Sequence, residues 1–253
     1  MPAFLLPTAG ILLGLIIGSF LATLIVRWPE GRSVIAGRSA CDHCGHQLRA
    51  RELIPVVSFV FQSGRCSQCA EPIAHDHLAI ELAAGLIGGL ALFVAPNAEG
   101  LAGAVFGWLL LTLGALDVKH HWLPDRLTLI LAISGLLACF FLSPTMLLDR
   151  IVGWLTGFGA LALVGIVYKR ARGRDGIGGG DPKMLGGIGC WMGWTALPMV
   201  IVAASLAGLL IVSLSWLRGK SVTGDTILPL GSLMALAGFP LWLYLTASGG
   251  LPY

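Results

Sequence analysis

Two sets of residues in this chain are typed and spaced for chemistry. Cys41, Cys44, Cys66 and Cys69 read C-x2-C-x21-C-x2-C, the arrangement in which two knuckles close one tetrahedral thiolate site. Four thiolates leave a zinc ion no open position, so such a metal is structural. Glu81, Asp117, Asp125 and Asp181 stand beside or inside apolar runs, where ionisable groups are costly and usually functional. Two carboxylates close together in a lipid-shielded place share one proton, and can then act as base and acid on a water that attacks an amide.

Each carboxylate also has a plainer reading. Asp181 precedes Pro182, Asp125 follows "WLP", and both suit a helix amino terminus. Glu81 suits the start of a helix, where the dipole favours an anion. Asp117 closes the apolar run in "LLLTLGALDVKHH", at the carbonyl-rich end that repels a negative charge. Its plainer reading is a surface ion pair with Lys119, His120 or His121. By the same dipole argument Asp181 is the resting anion and Asp117 holds the proton. Gly178, Gly179 and Gly180 precede Asp181; lacking Cβ atoms, they are free to turn with positive φ and to let an extended peptide approach.

The elements that hold these groups follow from composition. Of 253 residues, 56% are hydrophobic and 11% charged, against about 25% charged in soluble domains, and mean hydropathy is +0.86. The lipid bilayer is therefore the chain's first partner, and nothing points to nucleic acid. Uncharged runs cover 1–26, 82–98, 100–116, 127–148, 151–168, 184–217 and 226–253. The 34-residue run from Met184 to Leu217 contains "WTALP" and splits near Pro198, which predicts an all-α membrane protein of about eight transmembrane helices. The first run has no basic start and no small-residue cleavage site, so it reads as a retained helix. The predicted organisation is a first transmembrane helix at 1–27, a tetracysteine domain at 28–77 and a seven-helix membrane domain at 78–253. Of 16 Lys and Arg, 15 fall at 27–65, 119–126, 169–183 and 218–220. With eight spans these islands share one side, which the positive-inside tendency makes the cytoplasm, and both termini face outward. In that reducing compartment zinc is favoured over a pair of disulfides for the four cysteines; His43 and His46 could replace a thiolate, but read first as solvated loop histidines. Cys139 and Cys190 read as packing residues.

With these residues assembled, "GRDGIGGGDPKML" resembles the GxGD signature of the type IV prepilin peptidases, bacterial membrane aspartyl proteases. "ALDVKHHWLPDRLT" resembles the family's second aspartate motif, and "GLIIGSFLATLIVRWP", the cysteine quartet and "ILPLGSLMALAG" follow its order. The resemblance implies a catalytic pair, Asp117 and Asp181, with Asp125 in the same motif and Lys183 matching the family's usual lysine; snorkelling is the default reading of that lysine. It implies an inner-membrane enzyme that removes a short basic leader from prepilins and type II secretion pseudopilins, cutting after Gly before a hydrophobic helix. It also implies N-methylation of the new amino terminus with S-adenosylmethionine, with Gly64, Arg65 and Glu81 at the matching positions. Asp42 stands where the family usually has Pro, "AHDHLAIEL" replaces an Arg-Tyr-Pro approach to the Glu, and Pro182 stands where a hydrophobic residue is common. The competing reading is a multi-spanning transporter or assembly scaffold with a zinc-stapled loop.

Overall fold

The computed structural model describes residues 4–33, 40–41, 43–219 and 228–250; residues 34–39, Asp42 and Lys220 of the charged islands and cysteine domain lie outside them. The described chain is helical: α1 Leu5–Arg27, α2 Val57–Phe61, α3 His75–Val94, α4 Ala98–His120, α5 Asp125–Leu142, α6 Leu147–Arg172, α7 Asp181–Met192, α8 Leu197–Leu217 and α9 Leu230–Ala247, with 3-10 turns at Ala50–Leu53 and Pro144–Met146. Seven of these helices, all except α2 and α7, are long and apolar enough to cross a membrane. The run at 184–217 does break, at the Trp194–Ala196 turn. Its first half, α7, has 12 residues; at 1.5 Å per residue that is about 18 Å, short of the ~30 Å hydrocarbon layer.

The chain forms two compact units, Met1–Ala104 and Val105–Tyr253. In the first, α1 lies along α3 on a row of small residues. A Cβ added at Gly14 would stand 2.8 Å from the Gly85 Cα, and one at Gly18 would stand 2.7 Å from the Glu81 Cα. Lipid tails give no hydrophobic drive for helices to associate, so close backbone packing must supply it. Gly14→Leu should therefore push α1 off α3 and destabilise this unit by about 1–3 kcal/mol, read as a lowered Tm in detergent, whereas Leu12→Ala, at a side chain that is 57% exposed, should change Tm little.

In the second unit α7 is the buried centre: every residue of it except Lys183 is buried. Its own glycines make that possible. A Cβ at Gly187 would meet the Leu131 Cγ at 3.0 Å, and Gly186 packs beside Trp154 and Phe158. The Trp191 indole donates to the Leu131 carbonyl at 2.8 Å and stacks on Phe106 at 5.1 Å. At the carboxyl end of α7, the Arg150 guanidinium donates to the Trp191 carbonyl at 2.7 Å. A cation there satisfies a terminal carbonyl and opposes the negative end of the dipole.

Candidate active site and metal centre

Asp117 lies in the last turn of α4 and Asp181 opens α7; both are 6% exposed. Ser232 N–H donates to Asp117 Oδ2 at 2.7 Å, and Gly178 N–H donates to Asp181 Oδ2 at 2.9 Å. Gly231 stands against the pair, a Cβ there reaching within 2.9 Å of Asp117 Oδ2, and the two carboxylates are near enough for their charges to repel. Gly231 and Ser232 are the second and third residues of α9, so their N–H groups have no partner within the helix. Three helix ends meet here, and the amino terminus of α9 gathers the pair as it would an anion. This alters the dipole argument. Asp117 does close its own helix, but it also faces the opening of another, so both carboxylates receive donors and helix direction no longer assigns the proton. Gly231 and Ser232 were missed in the sequence. The available signal was "LPLGS", a proline followed by a small residue at a helix start.

Neither aspartate is an ordinary cap. Pro124 and Gly180 occupy the N-cap positions of α5 and α7, with no side-chain capping bond at either, and Asp181 reaches backward to Gly178. Gly178, Gly179 and Gly180 also differ from expectation, because none has a positive φ. What matters is the space their missing side chains leave. A Cβ at Gly180 would stand 2.5 Å from the Leu123 Cβ, one at Gly178 would stand 3.0 Å from Asp181 Oδ2, and one at Gly179 would meet nothing within 4 Å. Gly180→Ala should displace the start of α7 and lower turnover by about 10- to 100-fold, while Gly179→Ala should stay within about twofold; kcat measured on the two variants separates them. Lys183 pairs with Asp125 at 2.6 Å, tying α7 to α5, and does not contact Asp181. Asp125 is largely exposed and Lys183 half-buried, so the pair positions more than it stabilises.

The cysteine loop belongs to the first unit and consists of two copies of one turn. Gly45 N–H donates to the Cys41 carbonyl and Cys41 N–H to the His46 carbonyl; Ala70 N–H donates to the Cys66 carbonyl and Cys66 N–H to the Glu71 carbonyl. The bridges Ala40↔Gln47 and Arg65↔Pro72 close each turn. The four sulfurs lie within 4.8 Å of one another, with Cys41–Cys69 and Cys44–Cys66 both at 3.9 Å. Tetrahedral zinc with bonds of ~2.3 Å needs sulfurs about 3.8 Å apart, so the set fits the ion. The backbone N–H groups of Cys69 and Gln68 pull the Cys66 thiol down to about 6. Cys69, despite the Glu71 N–H, is pushed up to about 12 by burial and by its three sulfur neighbours. A divalent cation removes that conflict. His43 and His46 lie outside the cluster, facing Glu71 and Glu52 at 3.7 Å. Glu52 accepts from the Ser67 hydroxyl and the Arg49 N–H, which hold its carboxyl below the ordinary range, and this links the two turns. Ala70 sits at φ 57° where its counterpart is Gly45 at φ 69°. Ala70→Gly should relieve a left-handed alanine and stabilise the loop by about 0.5–1 kcal/mol, read as two- to fivefold slower metal loss to a chelator.

Glu81, 8% exposed, accepts the Val56 N–H at 2.8 Å. Val56 has φ 61°, a strained conformation for a β-branched residue. Glu81 lines a cavity of about 340 Å³ beneath the cysteine loop, together with Arg27, Gln62 and His77. Gly64 and Arg65 do not line it. Gly64 turns with φ 66° against the Phe59 ring, and Arg65 donates to the Ala70 carbonyl at 3.2 Å.

The fold and site describe a multi-pass membrane protein with a thiolate metal centre and a buried carboxylate pair. A model of the bacterial peptidase A24 N-terminal domain matches residues 12–95, and that of the type IV leader peptidase family matches residues 104–213. The chain is 35% identical to a prepilin leader peptidase/N-methyltransferase of Burkholderia pseudomallei (strain 1026b), covering 90% of this chain and 82% of that one. It is 34% identical to a protein of the same name from Pseudomonas aeruginosa (94% and 89% covered) and 33% identical to one from Aeromonas hydrophila (90% and 87% covered). No solved structure matches it. The chain belongs to the type IV leader peptidase family.

Proposed function

We infer that this protein is a prepilin peptidase of the bacterial inner membrane, an aspartyl endopeptidase in which Asp117 and Asp181 carry the reaction. The observation that carries this reading is a pair of buried carboxylates from different helices, each held by a backbone N–H, Asp117 by Ser232 and Asp181 by Gly178. Such a pair holds one proton between them. The ionised member takes a proton from water as its oxygen bonds to the amide carbon. The protonated member then gives its proton to the departing nitrogen as the carbon–nitrogen bond breaks. Substrates are prepilin or pseudopilin precursors, whose basic leader lies on the side bearing the Lys and Arg of 27–65, 119–126 and 169–183. A transporter is disfavoured because such proteins hold their charges near the bilayer midplane, whereas α5 is uncharged beyond its first turn.

A second activity is supported by the cavity in the first unit. Glu81, Arg27 and Gln62 would hold S-adenosylmethionine there, the buried carboxylate favouring its cationic methionine end, and the cofactor supplies the methyl group for the new amino terminus. Residues 28–77 then form a zinc-braced insertion. The test is to incubate membranes containing the protein with a pilin-like precursor and weigh the products. A released leader and a shortened mature chain are expected; an uncut precursor overturns the peptidase. A methyl increment appearing only with the cofactor is expected, and its absence removes the second activity.

A further inference from the structure

A groove of about 810 Å³ opens in the second unit, at the upper end of the roughly 300–1,000 Å³ range of ligand pockets. Its floor is Ala204 and Gly208 of α8 and Leu233 of α9, all buried; its rim includes Leu209, 63% exposed, and Leu228, 37% exposed. Ser205 also faces it. Arg174 and Asp175 are polar and shortly precede Gly178 in the chain, and Tyr168 of α6 joins them on the wall. Gly178, which also lines the groove, donates to Asp181, and Leu230, another lining residue, immediately precedes Gly231. Through Gly178 and Leu230 the groove thus adjoins the residues that hold the carboxylate pair.

Its walls constrain the occupant. Leucine and glycine surfaces offer nothing to an unpaired peptide backbone, so a segment held there must satisfy its own hydrogen bonds, as a helix does. Missing side-chain bulk at Gly208 and Ala204 allows such a helix to come close. The polar loop at 174–178 suits an extended, hydrated segment joined to that helix. We propose that this groove seats the first turns of the substrate's apolar helix and so sets which peptide bond reaches Asp117 and Asp181. The inference rests on the peptidase reading and adds a seat for the mature side of the cut. Leu209 and Ser205 are positioning residues, since they touch substrate away from the reacting atoms.

The experiment places a benzophenone amino acid at Leu209, at Ser205, or at Leu210, which is 60% exposed on the same helix but does not line the groove. Each is carried in the full Asp181→Asn chain, reconstituted with a helix-bearing precursor and illuminated. Adducts from positions 209 and 205 at least about fivefold above position 210, mapped by mass spectrometry to the precursor's helix, are expected. Equal labelling from all three positions, or adducts in the leader, overturns the proposal. In the otherwise wild-type chain Ser205→Trp should raise KM for the precursor about tenfold with kcat within about twofold; an unchanged KM also overturns it. Cleavage by Asp181→Asn alone would overturn the peptidase reading and leave the cross-linking map to be judged on its own.

Discussion

Asp117→Asn and Asp181→Asn should each lower cleavage of a pilin-like precursor by about 10³-fold or more, and the double variant should be no worse than either single one. A positioned acid or base contributes roughly 10²–10⁴-fold, and groups that act as one unit lose their function together. Asparagine is the informative replacement because its amide oxygen can still accept the N–H of Ser232 or Gly178 while it cannot exchange a proton with water. Tm should therefore stay near wild type as single-turnover cleavage collapses. Asp181→Glu retains the carboxyl but moves it by one methylene, and an ångström-scale misplacement costs about 100-fold. If both asparagine variants cut at near wild-type rates, the pair is not the catalyst.

The second large effect concerns the cysteine loop. Cys66→Ser, or a strong chelator, should open residues 40–73 to trypsin at Arg49, Arg51 and Arg65, with cleavage rates rising by about 100-fold or more. Structural zinc contributes about 10–16 kcal/mol in small zinc modules, far above the ~1 kcal/mol of any single hydrogen bond in the two turns. Cys66 should be the most sensitive position because it is the buried member of the quartet. The control is Cys139→Ala: that thiol lies inside α5, so the loop should keep its protease resistance. Addition of zinc should restore wild-type resistance after chelation and fail to do so in Cys66→Ser.

The cysteine spacing and the two aspartate motifs were legible because their chemistry depends on residue type and separation. The long helices were legible because charge-free runs of membrane length leave few other folds. The depth of α7 was not. An uncharged run reads alike whether its surroundings are lipid or protein, and only Gly186, Gly187 and Gly189, all in close contact with neighbouring helices, carried the distinction. The positive φ expected of the three glycines before Asp181 is absent for a related reason: sequence shows that a Cβ is missing, but not whether the gain is a turn or, as at Gly180, the room that Leu123 occupies. Gly231 and Ser232 reach Asp117 across 114 and 115 positions of chain, beyond any local pattern. Arg150, alone outside the basic islands, could be marked as unusual, yet its bond to the Trp191 carbonyl depends on how α6 lies against α7.

That bond bears on how finely the reacting group is placed. Asp181 is tied back to Gly178 at one tip of α7, and a guanidinium grips the other tip about 18 Å away. A rod this short, wedged on all sides and latched at each end, has no slack along its axis. The height of the cutting carboxylate is thus gauged from the far end, and a lesion at Arg150, remote from any substrate, would surface as a fault in chemistry instead of one in recognition.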